Sequence, residues 1–263
     1  MKTLVLYHAN CYDGFGAAWA AWKALGDRAE YQPIAYGDAP PPLINADQGK
    51  LYLLDFSFPR ETLLALAKEF DLVVLDHHKT AAEDLAGLPY ATFDMKKSGA
   101  VLAWEFFHTT PPPDFVAYLQ DRDLWTFELP GSREVSAALR SWPMEFTVWD
   151  RLAQEVDRLA SDGVAILRFQ GEMVEMMCLQ AWMQYVGGFL VPVANATAFF
   201  SEVGERLCAL HPLAPFAAYY LDRADGKRQW GLRSPGGFDV SAVAKALGGG
   251  GHPASAGFVE ERP

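Results

Sequence analysis

Leu72-Val73-Val74-Leu75-Asp76-His77-His78-Lys79 is the stretch on which the fold turns. Four apolar, mostly branched residues run directly into a carboxylate, two imidazoles and an amine. An apolar run without polar alternation describes a strand buried on both faces, as in a parallel sheet covered by helices. The polar cluster then stands at the carboxyl end of that strand, where open α/β sheets collect their ligands. Asp and His are donors that Mn²⁺, Fe²⁺ and Zn²⁺ all accept.

Two upstream stretches repeat the pattern. Thr3 to Tyr7 reads as a short strand ending in His8-Ala9-Asn10-Cys11-Tyr12-Asp13-Gly14-Phe15-Gly16, and Ala17 to Leu25 as a helix stopped by Gly26. Leu51-Tyr52-Leu53-Leu54 is another strand, ending in Asp55-Phe56-Ser57-Phe58-Pro59. Arg60 to Phe70 is an amphipathic helix leading back to the Asp76 strand, Tyr31 to Tyr36 an edge strand, and Pro40 to Pro42 a loop. The order βαβαβ implies parallel strands with right-handed crossovers. The strand ends carrying His8, Asp13, Asp55 and His77 therefore converge on one crevice. Asp13 has a second reading, since an Asp ahead of a helix is also a cap.

Downstream, Ser98-Gly99-Ala100 opens an apolar helix through Phe107, preceded by Lys96 and Lys97. Ser98 reads either as its N-cap or as part of a phosphate site at the helix N-terminus. Phe115 to Leu119 leads into Gln120-Asp121-Arg122-Asp123, a solvated turn or a further carboxylate ligand. From Ser136 to about Val186 apolar residues recur at helical spacing, with Met and Trp residues of core type. From Phe189 short strands alternate with turns, ending in Gly248-Gly249-Gly250-Gly251-His252, whose backbone amides can wrap an anion. The chain thus reads as an α/β protein: a parallel-sheet domain over 1–150, a helical connector over 151–188, and a smaller α/β domain with a mixed sheet over 189–263.

The 263 residues are ample for a core, and the net charge of −11 argues against gripping long nucleic acid by phosphate neutralisation. A small anionic substrate remains compatible, because bound divalent cations reverse the local field. Cys11, Cys178 and Cys208 form no Cys-x-x-Cys pair, which points to a reducing compartment. The apolar run at the N-terminus is too short for a signal peptide, and no window has transmembrane length. A soluble, cytoplasmic protein that binds no membrane is expected.

Asp76-His77-His78 at a strand end, His8 with Asp13-Gly14, Asp55, the Asp121 region, and Gly248 to His252 with Gly257 follow one another in a recognisable order. Together they resemble the DHH phosphoesterase superfamily with its DHH-associated C-terminal domain. That superfamily includes nano-RNase-type oligoribonucleases, RecJ-type exonucleases, cyclic dinucleotide phosphodiesterases and family II pyrophosphatases. The likeness is to its short two-domain members. The resemblance implies a site for two ions, usually Mn²⁺, with Mg²⁺, Co²⁺ or Zn²⁺ as substitutes. Asp55 would bridge them. His77 would hold one ion with Asp13 and Asp121, the latter preferred over Asp123, and His8 would help hold the other. Asp76 would orient an imidazole, as the support of His77, and His78 would face the substrate phosphate. Arg233, His252 and the Gly249, Gly250 and Gly251 backbone would clamp the substrate, with Ser98 on the substrate side as well. Implied activity is hydrolysis of phosphate esters of short oligonucleotides or nucleotides, in a chain that could form a homodimer. A small-molecule phosphatase or pyrophosphatase, or a nucleotide-binding protein with a weakened site, are the alternatives. The chain departs from the family's first motif, where Asn10 and Cys11 stand near the place of an expected carboxylate. Asn10 could serve as a neutral oxygen ligand. Cys11 reads as a ligand favouring softer metals or as a small packed residue.

Overall fold

The structure, a computed structural model, describes residues 3–35, 37–41 and 49–262. Tyr36 and Pro42, expected to close an edge strand and a loop, lie outside the described residues. The chain divides into two compact units, Met1–Leu167 and Arg168–Pro263.

The first unit is built on strands β1 (Thr3–His8), β2 (Ala29–Ile34), β3 (Lys50–Leu54), β4 (Asp71–Asp76) and β5 (Ala91–Phe93). All pair in parallel, in the order β2-β1-β3-β4-β5, so β2 is an edge strand as expected. The intervening helices are α1 (Tyr12–Leu25), α2 (Arg60–Leu66), α3 (Lys79–Asp84) and α4 (Gly99–Phe107). Then come α5 (Asp114–Asp123), α6 (Ser132–Leu139), α7 (Phe146–Leu152) and α8 (Val156–Cys178), and the division between the units falls inside α8.

The apolar runs are explained by two cores, one on each sheet face. Leu51, Leu53, Leu72 and Val74 pack with Leu6 and Leu63. Their strand neighbours Tyr52, Leu54 and Leu75 pack with Val5, Trp19, Phe115 and Trp149. Successive residues of a strand point to opposite faces, so a strand covered on both sides loses its polar alternation. Each such Leu or Val, fully withdrawn from water, contributes about 1.5–3 kcal/mol before the entropy of ordering it.

The second unit holds a mixed sheet in the order β10-β11-β9-β8-β7-β6. Its strands are β6 (Trp182–Val186), β7 (Phe189–Asn195), β8 (Ala217–Asp222), β9 (Lys227–Arg233), β10 (Gly250–His252) and β11 (Ser255–Glu261), with helices α9 (Phe200–Leu210) and α10 (Val240–Ala246). Only β7 and β8 among these pairs run parallel. The helical stretch expected to reach Val186 ends at Cys178, and Trp182–Val186 forms the edge strand β6. Trp182, Met183 and Tyr185 are exposed there, so the pattern lacked the buried face that identifies a strand. Among the described residues no helix is long and apolar enough to cross a membrane.

Candidate metal centre

The order β2-β1-β3-β4 reverses direction between β1 and β3, because the chain continues from β1 to one side and from β3 to the other. Crossover helices diverge at such a point and leave a crevice beyond the strands' carboxyl ends. His8 is the last residue of β1, Asp55 follows β3, and Asp76 ends β4 with His77 next. Asn10 and Asp55, on the two sides of this switch, have φ of 55° and 62°. The left-handed region is uncommon for residues other than glycine, and such backbone collects at functional sites.

Asp55 faces a histidine with each oxygen. Its Oδ1 lies 3.0 Å from His77 Nε2 and its Oδ2 3.4 Å from His8 Nδ1. His77 Nε2 is also 3.7 Å from Asp13 Oδ2 and 3.5 Å from Asp123 Oδ2. Asp13, Asp55 and His77 are at most 2% exposed. Asp13 does not cap the helix that follows β1, contrary to its second reading: it lies within α1, whose N-cap position is Cys11. While facing His77 it accepts hydrogen bonds from the Gly99 and Ala100 amides at the start of α4, so it occupies that helix N-terminus. Gly99 makes this possible: a Cβ there would lie 2.5 Å from Asp55 Cβ and 2.9 Å from Asp13 Oδ2.

Asp76 supports a different imidazole from the one expected. Its Oδ1 is 2.7 Å from His78 Nδ1 and accepts from the His77 and His78 amides, while its Oδ2 accepts from Ser57 Oγ. Burial would raise this carboxyl, but His78 outweighs it and holds Asp76 below the usual range. An ionised Asp76 assigns the Nδ1 proton to His78, and Nε2 is the ring nitrogen outside that pair.

The structure brings Asp123, not Asp121, to His77. The two lie on one helix, α5, two residues and about 200° apart, so they cannot face the same way. Asp121 instead holds the following turn, accepting from Thr126 Oγ1 at 2.6 Å and from the Glu128 and Leu129 amides at 2.9 and 3.1 Å. Helical periodicity carried the signal: Asp123 lies four residues after Leu119 and seven after Val116, both buried. Ser98 is fully buried as the N-cap of α4, its Oγ accepting from the Val101 amide. With Asp13 on the next two amides, this N-terminus serves the cluster rather than a substrate phosphate.

In the second unit Arg233 pairs with Ser255, and Ser255 with His252. In-register neighbours share a sheet face, so Arg233 and His252 stand on one side of the sheet with a strand between them. Gly249 to Gly251 are not a loose loop. Gly250 and Gly251 pair with Gly257 and Ala256, and a Cβ on Gly251 would lie 2.7 Å from Ala256 Cα.

The donors of the first unit fit divalent cations. Ligand atoms of Asp13, His77 and Asp123 lie within 4.8 Å of one another, and so do those of His8, Cys11 and Asp55. Three carboxylates share one buried space, and the titration behaviour reflects it. Burial, then the charges of Asp55 and Asp123, hold Asp13 well above the usual carboxylate range. Burial would raise Asp55 too, but His77 and His8 outweigh it and hold it well below. Burial pulls His77 down, yet Asp55, Asp123 and Asp13 push it up to about 10. The proton on His77 thus offsets charge that a divalent cation would neutralise at the same donors.

No family model matches the chain. It is 29% identical over 280 residues to an uncharacterized protein of Acanthamoeba polyphaga mimivirus, an alignment covering 97% of this chain and 66% of that relative's length. Among solved structures it resembles the RecJ of Thermus thermophilus in complex with Mn²⁺. The TM-score is 0.51 at 17% identity, over 99% of this chain and 49% of that one. It also aligns with the pGpG-specific phosphodiesterase PggH of Vibrio cholerae at a TM-score of 0.48 and 12% identity, over 99% and 94% of the two chains. The likeness to RecJ is one of fold, the α/β architecture described above.

Proposed function

We propose that this chain has a DHH-superfamily fold and is a metal-dependent phosphoesterase that hydrolyses phosphate esters of short oligonucleotides or nucleotides. The observation that carries this reading is the convergence of Asp13, Asp55, Asp123 and His77 at the switch point of a parallel sheet, with His8 on the far side of Asp55. Asp55 presents one oxygen to each side and would contribute to both ions. Asp13, His77 and Asp123 would hold one divalent ion, Mn²⁺ by preference, and His8 and Asp55 the other. Bound there, such ions lower the pKa of water and neutralise charge developing on a phosphoryl group.

The chain's own groups do the remaining work. Asp76 fixes the His78 ring through Nδ1 and, outweighing burial, raises its pKa, so that the protonated ring carries a second N–H on Nε2 to donate to a phosphoryl oxygen or to protonate a leaving oxygen. Nε2 is held without reorganisation, because the supporting carboxylate is itself anchored by Ser57 and two backbone amides. Burial of Asp13 and Asp55 keeps bulk water from screening these charges. In the second unit Arg233 and His252 supply a guanidinium and an imidazole for a substrate phosphate.

The test is hydrolysis by Mn²⁺-loaded protein of very short RNA oligonucleotides, a 3′-phosphorylated nucleotide, and linear and cyclic dinucleotides, with pyrophosphate in parallel. Cleavage of a nucleotide ester above pyrophosphate, lost in Asp55→Asn, is the expected result. Preference for pyrophosphate favours the small-molecule reading. Retention of Mn²⁺ without turnover on any of these substrates overturns the phosphoesterase proposal.

A further inference from the structure

The turn between β1 and α1 carries one residue that this reading leaves unused. Cys11 occupies the N-cap position of α1 with extended backbone, φ −120° and ψ 131°, yet its side chain makes no capping hydrogen bond. Its Sγ instead belongs to a trio with a ring nitrogen of His8 and a carboxylate oxygen of Asp55, all within 4.8 Å of one another. Local backbone holds it there. Asn10, at φ 55°, reverses the chain after β1, and the Phe15 amide donates to the Cys11 carbonyl to close the first turn of α1. Gly14 lets that turn press on the strand end, since a Cβ at this position would lie 2.7 Å from His8 Cβ.

The other two thiols are placed differently. Cys178 and Cys208 lie in the apolar core of the second unit and donate to the carbonyls of Val203 and Arg233. Cys11 is therefore the thiol grouped with an imidazole and a carboxylate of the metal centre. Simple packing does not describe a sulfur grouped with an imidazole and a carboxylate.

Resting on the metal-centre reading above, we propose that Cys11 is a thiolate ligand of the ion held by His8 and Asp55. The centre then has two chemically unlike positions. Asp13, His77 and Asp123 offer hard oxygens and one imidazole, which suit Mn²⁺ or Mg²⁺. His8, Cys11 and Asp55 offer one donor of each kind, and the thiolate selects Zn²⁺, Co²⁺ or Fe²⁺. On binding, the thiol proton leaves to solvent and the sulfur lone pair goes to the cation, so the charge of the ion is partly neutralised within the site.

The test uses the metal-free chain titrated with Co²⁺. A thiolate ligand gives a sulfur-to-cobalt charge-transfer absorption in the near ultraviolet, independent of any enzymatic activity. That band is expected in the native sequence, kept in Cys178→Ala and Cys208→Ala, and lost in Cys11→Ser with its circular dichroism unchanged. A second variant, Cys11→Asp, replaces sulfur by hard oxygen without emptying the position. After equilibration with a mixture of Zn²⁺ and Mn²⁺, its bound Zn-to-Mn ratio by mass spectrometry is expected to fall below that of the native chain. Bound Co²⁺ without the band, or with a band that survives Cys11→Ser, overturns the assignment of Cys11 and leaves the metal-centre reading intact. A native chain that retains none of these ions overturns the metal-centre reading and this inference with it.

Discussion

Gly99→Ala separates the fold from the site more sharply than any direct ligand substitution. Gly99 is the first residue of α4 and has no positive φ, so its backbone accepts alanine. In an ordinary helix the change would stabilise by about 0.5–1 kcal/mol. Here the added Cβ meets Asp55 Cβ at 2.5 Å, Asp55 Oδ1 at 2.8 Å and Asp13 Oδ2 at 2.9 Å. Carbon atoms rest at about 3.5–4.0 Å, so the helix start and the two carboxylates must separate by roughly 1 Å. Overpacking of this kind costs about 1–3 kcal/mol, which leaves a net loss of about 0–2.5 kcal/mol after the helix gain. A displacement of roughly 1 Å between reacting groups costs about 100-fold in rate. The expected result is a small fall in Tm, a large fall in Mn²⁺-dependent hydrolysis, and reduced metal retention by mass spectrometry. Gly171→Ala is the control, because it sits in α8 with nothing within 4 Å of its Cβ. It should raise stability and leave hydrolysis unchanged. Gly99→Ala with native metal content and native turnover would show that Asp13 and Asp55 do not act together.

Asp123→Asn is expected to lower metal retention without lowering Tm, since it removes a carboxylate from a crowded acidic cluster. Asp121→Asn should do the reverse: it replaces one accepting oxygen by an NH2 donor that faces the Thr126, Glu128 and Leu129 donors and costs about 1–3 kcal/mol in denaturant unfolding, with metal content intact. Asp76→Asn should leave Mn²⁺ binding in place and reduce hydrolysis by about 10–100-fold, because the His78 ring loses its anchor. Mn²⁺ affinity should rise with pH through the neutral range. His77, pushed up to about 10, is protonated at pH 7, and a cation taking Nε2 must displace that proton. Each displaced proton is worth about tenfold in affinity per pH unit below that value. Isothermal titration calorimetry in buffers of different ionisation enthalpy measures the release, and a pH-independent affinity refutes it.

What the sequence determined by itself was whatever depends on local periodicity. The apolar runs before Asp55 and Asp76 are strands because both faces of the sheet are covered, and a period of two then disappears in a way that is visible residue by residue. The carboxyl-terminal position of His8, Asp55 and His77 follows from strand direction, which the βαβ order dictates. Asp121 and Asp123 were distinguishable only by helical phase, and a run of apolar residues ending in two carboxylates is ambiguous until the element type is known. Trp182–Val186 was misread for a related reason, since an edge strand with exposed aromatics shows no buried stripe.

The tertiary structure decided everything that joins residues far apart in the chain. The Asp13 carboxylate caps a helix that begins 86 residues later, so one side chain both holds α4 and faces His77. Asp76 supports His78 because its Oδ1 is turned onto the two residues that follow it, a direction that no composition or spacing encodes. Gly99 and Cys11 gained their meaning in the same way. One is a glycine because two carboxylates need its space, and the other is a cap position whose sulfur is grouped with His8 and Asp55. Strand ends are one-dimensional facts, whereas the sharing of one buried charge among three carboxylates depends on distances that only the folded chain sets.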